Sequence, residues 1–401
     1  MDKIEEVLTR AVDTVYPTKK ALEKILRSGK KLKLYQGFDP TGIQMHIGHM
    51  IGLRKLAQFQ ELGHHVVFLI GDGTGLAGDP SGKTRERGKF LSREDLRQNA
   101  TDYVKQAEKI VDFRGKNPVE ILFNGDWLTK LSLQDILEIA GHFTWQQLSE
   151  RDMFVERAKR GEPINMREFL YPLLQGYDSV AMDVDLEIGG SDQMFNMLCG
   201  RTLAQNMLHK EKYVLTTPLL ADAQGRKIGK TEGNVIALNN KPGDLFGKIM
   251  ALPDEVIIKG MEYLTDIPMT EIKNIDEQLK KGEHPVRFKK QLSFEIVRQL
   301  NNEEIARKAQ VTFENVIQKK ALPTNIPTIT IPRSENLFAA SELLIYTGFA
   351  SSKSEAKRLI EQGGLEIDNV KIENPSQEIT IEDTILVKVG KRKFVEVTRE
   401  K

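Results

Sequence analysis

The chain has 401 residues, 40% hydrophobic and 29% charged, the balance of an ordinary soluble protein with length for two or three domains, each able to bury its own core. No apolar run approaches the roughly 20 residues of a membrane helix, and the start MDKIEEVLTR lacks the basic flank and apolar stretch of a secretory signal, so a cytoplasmic protein is expected. The single cysteine, Cys199, excludes an internal disulfide and cysteine-rich zinc sites, while 58 basic against 57 acidic side chains give no overall basic field for nucleic acid.

In chain order, Lys33 to Gln36 is predicted as a strand, Met45 to Leu62 as a helix with Ile47, Ile51, Leu56 and Phe59 among its apolar positions, and His65 to Ile70 as a buried strand. These form a βαβ unit. Glu120 to Phe123 and Leu186 to Ile188 give way to polar or glycine-rich segments, as parallel strands do in an open α/β sheet. Ligands bind beyond the carboxyl ends of such strands, which puts Tyr35, Asp39, Asp72, Thr74, Asn124, Asp192 and Gln193 where a ligand is expected.

Lys241 to Lys320 reads as a largely helical, charged region, with amphipathic segments around Asp254 to Leu264 and Pro285 to Leu300. Pro323, Pro327 and Pro332 interrupt β-branched residues and predict a stiff linker over 321–335. Beyond it, Ser352 and Glu355 predict a capping box for a helix ending near Gly363 and Gly364, followed by hairpins turning at Asp368-Asn369 and Gly390-Lys391.

Two segments carry chemistry. Gly37-Phe38-Asp39-Pro40-Thr41-Gly42 leads into His46-Ile47-Gly48-His49, which places two imidazoles at i and i+3 on a helix start, where free N–H groups and the dipole favour an anion such as a triphosphate. Gly48 and Gly52 are expected to let a flat base approach that helix. Arg226-Lys227-Ile228-Gly229-Lys230-Thr231, bracketed by Gly225 and Gly233, offers two lysines on a loop able to meet a pyrophosphate as charge builds in a transition state. Singly, each segment is also compatible with a structural helix start or a solvated basic loop.

Together, in this order, they resemble the two signatures of class I aminoacyl-tRNA synthetases, and the resemblance covers nearly the whole chain. Tyr35 to Thr41, Gly75 to Lys83, Asn124 with Trp127-Leu128, and Gly189-Gly190-Ser191-Asp192-Gln193 are similar to the pattern of the bacterial tyrosyl-tRNA synthetases. Ile228, Thr231 and Met194-Phe195 depart from that pattern without removing a charge or donor.

The side-chain pocket has independent support. Tyr171, Gln175 and Asp178 fall at i, i+4 and i+7 on one helix face, with Pro172 expected to start or kink the helix. Buried polar groups on one face need either a polar ligand or one another.

The resemblance implies an α/β fold, with a Rossmann-like parallel sheet catalytic domain over 1–240, a connective and dimerisation segment at about 125–165, an α-helical anticodon-side domain over 241–320, and a small α+β RNA-binding domain over 336–401 like that of ribosomal small-subunit protein four. It implies activation of L-tyrosine with ATP and transfer to tRNA(Tyr) by a homodimer. Tyr35 and Asp178 would hold the tyrosine hydroxyl, and Asp79, Tyr171, Gln175 and Gln193 its amino group. ATP would meet Gly37, Asp39, Thr41, His46 and His49, with Gly190 and Asp192 at the ribose. Lys227, Lys230 and Thr231 would clamp the pyrophosphate, helped by Lys83 and Arg87. Mg²⁺ would arrive with ATP, with no prosthetic group. RNA would meet Lys353, Lys357, Arg358, Lys391 and Arg392, although residues 336–401 hold 10 basic and 11 acidic side chains.

Two other readings are open at this stage. Gly78 to Thr84 looks superficially like a phosphate-binding P-loop, but Ala77 stands where the motif needs glycine and Pro80 removes an N–H. A silent RNA-binding protein on the same scaffold, or a tryptophan-specific relative, is opposed by the intact histidine and lysine segments and by Tyr35 with Asp178.

Overall fold

The computed structural model describes residues 2–42, 44–79, 91–149, 152–228, 235–315, 326–332, 336–368, 370–390 and 393–400. The chain divides into two compact units, Met1–Ala306 and Arg307–Lys401.

The first unit is built on a six-stranded sheet of β1 (Thr14–Tyr16), β2 (Lys33–Phe38), β3 (His65–Ile70), β4 (Glu120–Phe123), β5 (Leu186–Gly190) and β6 (Tyr213–Thr217), in the order β1-β6-β5-β2-β3-β4. All neighbours are parallel except the edge strand β1, which runs antiparallel to β6. The run Val66–Ile70 is buried throughout, as a strand covered on both faces demands. From β2 the chain progresses to β3 and β4 on one side and places β5 and β6 on the other. The order therefore reverses between β2 and β5, and the loops leaving those strands part to open a crevice at their carboxyl ends.

The predicted strands and first helix are present. The helix Ile47–Glu61 buries Ile47, Ile51, Leu56 and Phe59 against the sheet. The helix Met166–Ala181 starts at an Asn165/Glu168 capping box, and Pro172 lies inside it rather than at its start. The edge strand β1 and the strand β6 add to the strands expected from the sequence.

Residues 242–313 form five helices, with Phe246, Met261, Phe288, Leu292 and Ile296 buried. Those up to Ala306 belong to the same compact unit as the sheet, so 240/241 marks a change of secondary structure and not a break in packing. Buried Arg10 ties the N-terminal segment to the carbonyls of Met261, Glu262 and Thr265 at the end of the helix Val256–Leu264, where intrahelical N–H partners run out. Among the described residues, no helix is long and apolar enough to cross a membrane.

The second unit carries β7 (Thr328–Ile331), β8 (Leu337–Ala339), β9 (Leu365–Ile367), β10 (Val370–Ile372), β11 (Glu378–Thr380), β12 (Thr384–Val389) and β13 (Lys393–Arg399). Five form a sheet in the order β10-β9-β12-β13-β7, and β8 pairs with β11. The helices Ala340–Tyr346 and Lys353–Glu361 contribute Leu343, Leu344 and Ile360 to a core with Leu365, Val387 and Val397.

Two local expectations change here. Residues 328–331, expected within a linker, pair in parallel with β13, because Pro327 and Pro332 flank the alternating Thr-Ile-Thr-Ile run instead of breaking it. Ser352 caps its helix, but Glu355 turns onto the N–H and hydroxyl of Ser351 instead of closing a box on Ser352. The turn after β9 holds Asp368 at φ 48°, a left-handed conformation that aspartate tolerates.

Candidate active site

The crevice at the ends of β2 and β5 is a cleft of about 820 Å³. It gathers residues that lie far apart in sequence, from Tyr35 to Lys227.

At one end stand the two imidazoles. His46 caps the helix Ile47–Glu61, and its Nδ1 accepts from the Gly48 N–H at 3.1 Å. His49 Nδ1 accepts in turn from the His46 N–H at 3.0 Å, and the ring centroids lie 3.9 Å apart with their planes tilted by 34°. With each Nδ1 used as an acceptor, the neutral rings carry their proton on Nε2. The outcome is a pair of N–H donors at a helix start, suited to phosphate oxygens. Gly48 and Gly52 line the cleft, and neither has room for a side chain: a Cβ on Gly48 would meet the His46 ring at 2.9 Å, and one on Gly52 would meet the Gln36 amide at 2.2 Å.

The opposite end is closed and polar. Asp178, 1% exposed, accepts from Asn124 Nδ2 at 3.0 Å and from Trp127 Nε1 at 2.8 Å. Burial pushes its carboxyl well above the ordinary carboxylate range, and the two donors oppose that rise. Asn124 cannot turn over, because its Oδ1 accepts from the N–H groups of Gly73 and Thr74. Tyr35 is fully buried with its hydroxyl 3.1 Å from Ser179 Oγ, and burial raises its phenol pKa further.

Between the two ends lies an acidic, amide-rich wall. The Tyr171 hydroxyl donates to Asp39 Oδ2 at 2.9 Å, and Thr74 Oγ1 donates to Asp39 Oδ1 at 2.7 Å. Gln193 Nε2 donates to Asp79 Oδ2 at 2.9 Å. Asp39, expected on the nucleotide side, is thus bonded to a residue expected at the amino group.

Gly37, Thr41, Gly190 and Asp192 also line the cleft, and Lys227 Nζ donates to Asp192 Oδ2 at 2.7 Å. Lys83, Arg87, Lys230 and Thr231 lie outside the described residues. Asp72, placed with the ligand by its position after β3, is instead fully buried away from the cleft. It binds Arg93 and Arg97 and accepts from the Gly125 N–H at 2.7 Å. Among the described residues, no group of three or more His, Cys, Asp or Glu is placed to hold a metal ion.

Sequence reasoning missed Ser179, Glu187, Asn196 and Lys212, all buried around the closed end. One signal was present. Glu187 interrupts the apolar run of a doubly covered strand, and a carboxylate there requires a partner.

In the second unit, Lys353 and Lys357 are exposed on the helix Lys353–Glu361 that also carries Arg358. They make surface pairs with Glu342 at 3.1 Å and Glu361 at 3.8 Å. Pairs so exposed are weak and exchange readily for another anion. Lys391 and Arg392 lie outside the described residues.

A largely parallel α/β sheet whose crevice carries N–H donors at a helix start at one end and buried polar side chains at the other has the architecture of a ligand-binding α/β enzyme. The family model described as tRNA synthetases class I (W and Y) matches residues 27–318, and the S4 domain matches residues 343–385. The chain is 42% identical to the tyrosine–tRNA ligase of Thermotoga maritima, covering 98% of this chain and 96% of that one. It is 40% identical to that of Dehalococcoides mccartyi, covering 98% of each. A C-terminally truncated mitochondrial tyrosyl-tRNA synthetase of Coccidioides posadasii superposes with a TM-score of 0.63 at 26% identity, over 78% of this chain and 91% of that one. The chain belongs to the class I tRNA synthetases, in the tyrosine–tRNA ligase family.

Proposed function

We propose that the cleft binds L-tyrosine with its phenol at the closed end and ATP at the histidine end, and that the chain joins them as tyrosyl-adenylate before transferring tyrosine to tRNA(Tyr). The observation that carries this reading is the buried Asp178. It sits beside Tyr35, at the floor of a cleft whose other end offers phosphate donors. A phenolic hydroxyl supplies the further hydrogen bond that a buried carboxyl favours, and phenylalanine leaves the pocket's polar groups unpaired. Tyrosyl-tRNA synthetases are themselves the standard example of such discrimination.

In this reading Asp79, Tyr171, Gln175 and Gln193 surround the ammonium, with Asp39 joining them through its bond to Tyr171. His46 and His49 donate from Nε2 to phosphate oxygens beside Thr41 and Gly37, and Gly190 with Asp192 holds the ribose. The tyrosine carboxylate attacks the α-phosphorus in line, its P–O bond forming as the bond to pyrophosphate breaks, so no protein nucleophile is required. Lys227, Lys230 and Thr231, helped by Lys83, stabilise the departing charge. The Asp192 partner of Lys227 keeps one of these cations at the cleft mouth before ATP arrives. Mg²⁺ comes with the nucleotide.

Residues 241–320 serve the anticodon side of the RNA. The second unit grips it through Lys353, Lys357 and Arg358, with Lys391 and Arg392 at the last hairpin. The enzyme works as a cytoplasmic homodimer.

The deciding experiment is ATP–pyrophosphate exchange with purified protein, Mg²⁺ and each of tyrosine, phenylalanine and tryptophan. Exchange with tyrosine alone supports the pocket. Exchange with phenylalanine at a comparable rate rules out the role given to Asp178.

A further inference from the structure

Glu187, the second residue of β5, is 1% exposed, and Lys212, just before β6, is fully buried. Lys212 Nζ donates to Glu187 Oε2 and, at 3.2 Å, to the Met197 carbonyl. Gly200 makes room for this ammonium, since a Cβ there would stand 2.5 Å from Lys212 Nζ and 2.7 Å from Ser179 Oγ. Stability alone is a poor reason for such a pair, because apolar residues of similar volume are often as stabilising or more so.

The other carboxylate oxygen supplies a better reason. Glu187 Oε1 accepts from Gln175 Nε2 at 3.0 Å. An ionised carboxylate only accepts, so the Gln175 amide must turn its NH₂ toward β5 and its carbonyl oxygen the other way. That oxygen accepts from Asn196 Nδ2 at 3.0 Å. The same Asn196 NH₂ donates to Gln193 Oε1 at 2.9 Å, and Gln193 Nε2 donates to Asp79. Three amides are thus aligned in series between a carboxylate at each end.

We propose that the buried Lys212–Glu187 pair is a positioning device for recognition of the amino-acid ammonium: it fixes the Gln175 amide so that a carbonyl oxygen, not an NH₂, serves the cation. Lys212 donates to one Glu187 oxygen, leaving the other to accept from Gln175, and the ammonium offsets the carboxylate's charge at the cleft floor beside Asp178. The inference rests on the reading of Gln175 as an ammonium contact.

The test uses the full chain carrying both Glu187→Gln and Lys212→Met, which keeps volume and removes both charges together. Gln at 187 offers Gln175 either an oxygen or an NH₂, so the amide direction is no longer imposed. Two ligands are compared in ATP–pyrophosphate exchange: tyrosine, and 3-(4-hydroxyphenyl)propanoate, which lacks the amino group, as a competitive inhibitor. The tyrosine KM is expected to rise about tenfold while the inhibition constant of the propanoate and the KM for ATP change less than about twofold. An unchanged tyrosine KM, or equal weakening of both ligands, overturns the proposal.

Should the double variant not fold, Gly200→Ala decides, because its methyl group displaces the Lys212 ammonium; the same split in ligand affinities is expected, and its absence counts against the pair. Gln175→Ala separates the two levels. If it leaves the tyrosine KM unchanged, the reading of Gln175 itself fails. If it raises KM while the double variant does not, the positioning role alone fails.

Discussion

The indole N–H of Trp127 donates to Asp178 Oδ1 across 2.8 Å, joining the short helix Gly125–Leu128 after β4 to the helix that forms the closed end of the cleft. Trp127→Phe removes one of the two side-chain donors that oppose the effect of burial on Asp178, so its carboxyl should titrate higher still. The expected result is a tyrosine KM raised about tenfold to 150-fold, the worth of one hydrogen bond to a charged group, with the KM for ATP unmoved. Steady-state exchange against each substrate reads both values.

Asp178 also gives stability a pH dependence. Its folded carboxyl titrates above the unfolded one. Between those two values the folded chain binds more protons, so the contribution is fully present below the ordinary carboxylate pKa and is lost as pH rises through the folded value. Asp178→Asn should abolish tyrosine-dependent exchange and gain stability relative to wild type as pH rises from about 4. Urea unfolding at a series of pH values measures the difference; a constant gap argues against the shift.

Lys227 faces Asp192 at the mouth of the cleft, and its proposed work comes when pyrophosphate departs. Lys227→Ala is expected to lower the rate of adenylate formation about 10²- to 10³-fold, with tyrosine affinity nearly unchanged. Single-turnover kinetics with tyrosine titration separates the two quantities. Equal losses in both would assign the residue to ground-state binding.

Lys55 is buried beneath the N-terminal segment and donates to the Val7 and Arg10 carbonyls and to Gln58 Oε1. Burial, with Arg54 and Arg10 nearby, lowers its pKa to about 7. From roughly pH 7 to 10 the unfolded chain then holds the extra proton, so stability rises with pH by up to about 1.4 kcal/mol per unit. Lys55→Met lacks this slope and leaves two carbonyls without their donor. It should be less stable than wild type at pH 7, with the gap widening toward about pH 9.5 in thermal melts.

Leu133, Leu137, Trp145 and Met166 are 72%, 63%, 60% and 66% exposed. The helix Leu133–Gly141 buries Ile139 with Leu173 and Leu203 and leaves Leu133, Ile136 and Leu137 exposed, an apolar patch of the kind a partner surface covers. Leu137→Asp is expected to convert a dimer into a monomer by light scattering without changing its circular dichroism. A monomeric wild-type chain at micromolar concentration would end the homodimer proposal.

Truncation after residue 315 should retain tyrosine-dependent exchange and reduce aminoacylation of tRNA at least about tenfold, since a loss of a few phosphate contacts has that scale. Cutting at 336 is a poorer design, because β7 is an edge strand of the second sheet and would be left behind. Full aminoacylation by the truncated chain excludes the RNA role of the second unit.

The sequence by itself determined strands β2 to β5, the helix whose start carries the two histidines, and the shared face of Tyr171, Gln175 and Asp178. Each rests on local periodicity or on groups within one or two helical turns of each other. The lysine loop and the tail were legible as motifs, though not as contacts.

Tertiary structure decided which polar groups meet. Asp72 and Asp39 both follow parallel strands, yet one is drawn under Arg93 and Arg97 and the other faces Tyr171. Lys212 reads as a surface lysine beside Glu211, and only the space left by Gly200 brings its ammonium to Glu187. A buried charge is located by the partner that offsets its desolvation, and here that partner stands 25 residues away on a neighbouring strand.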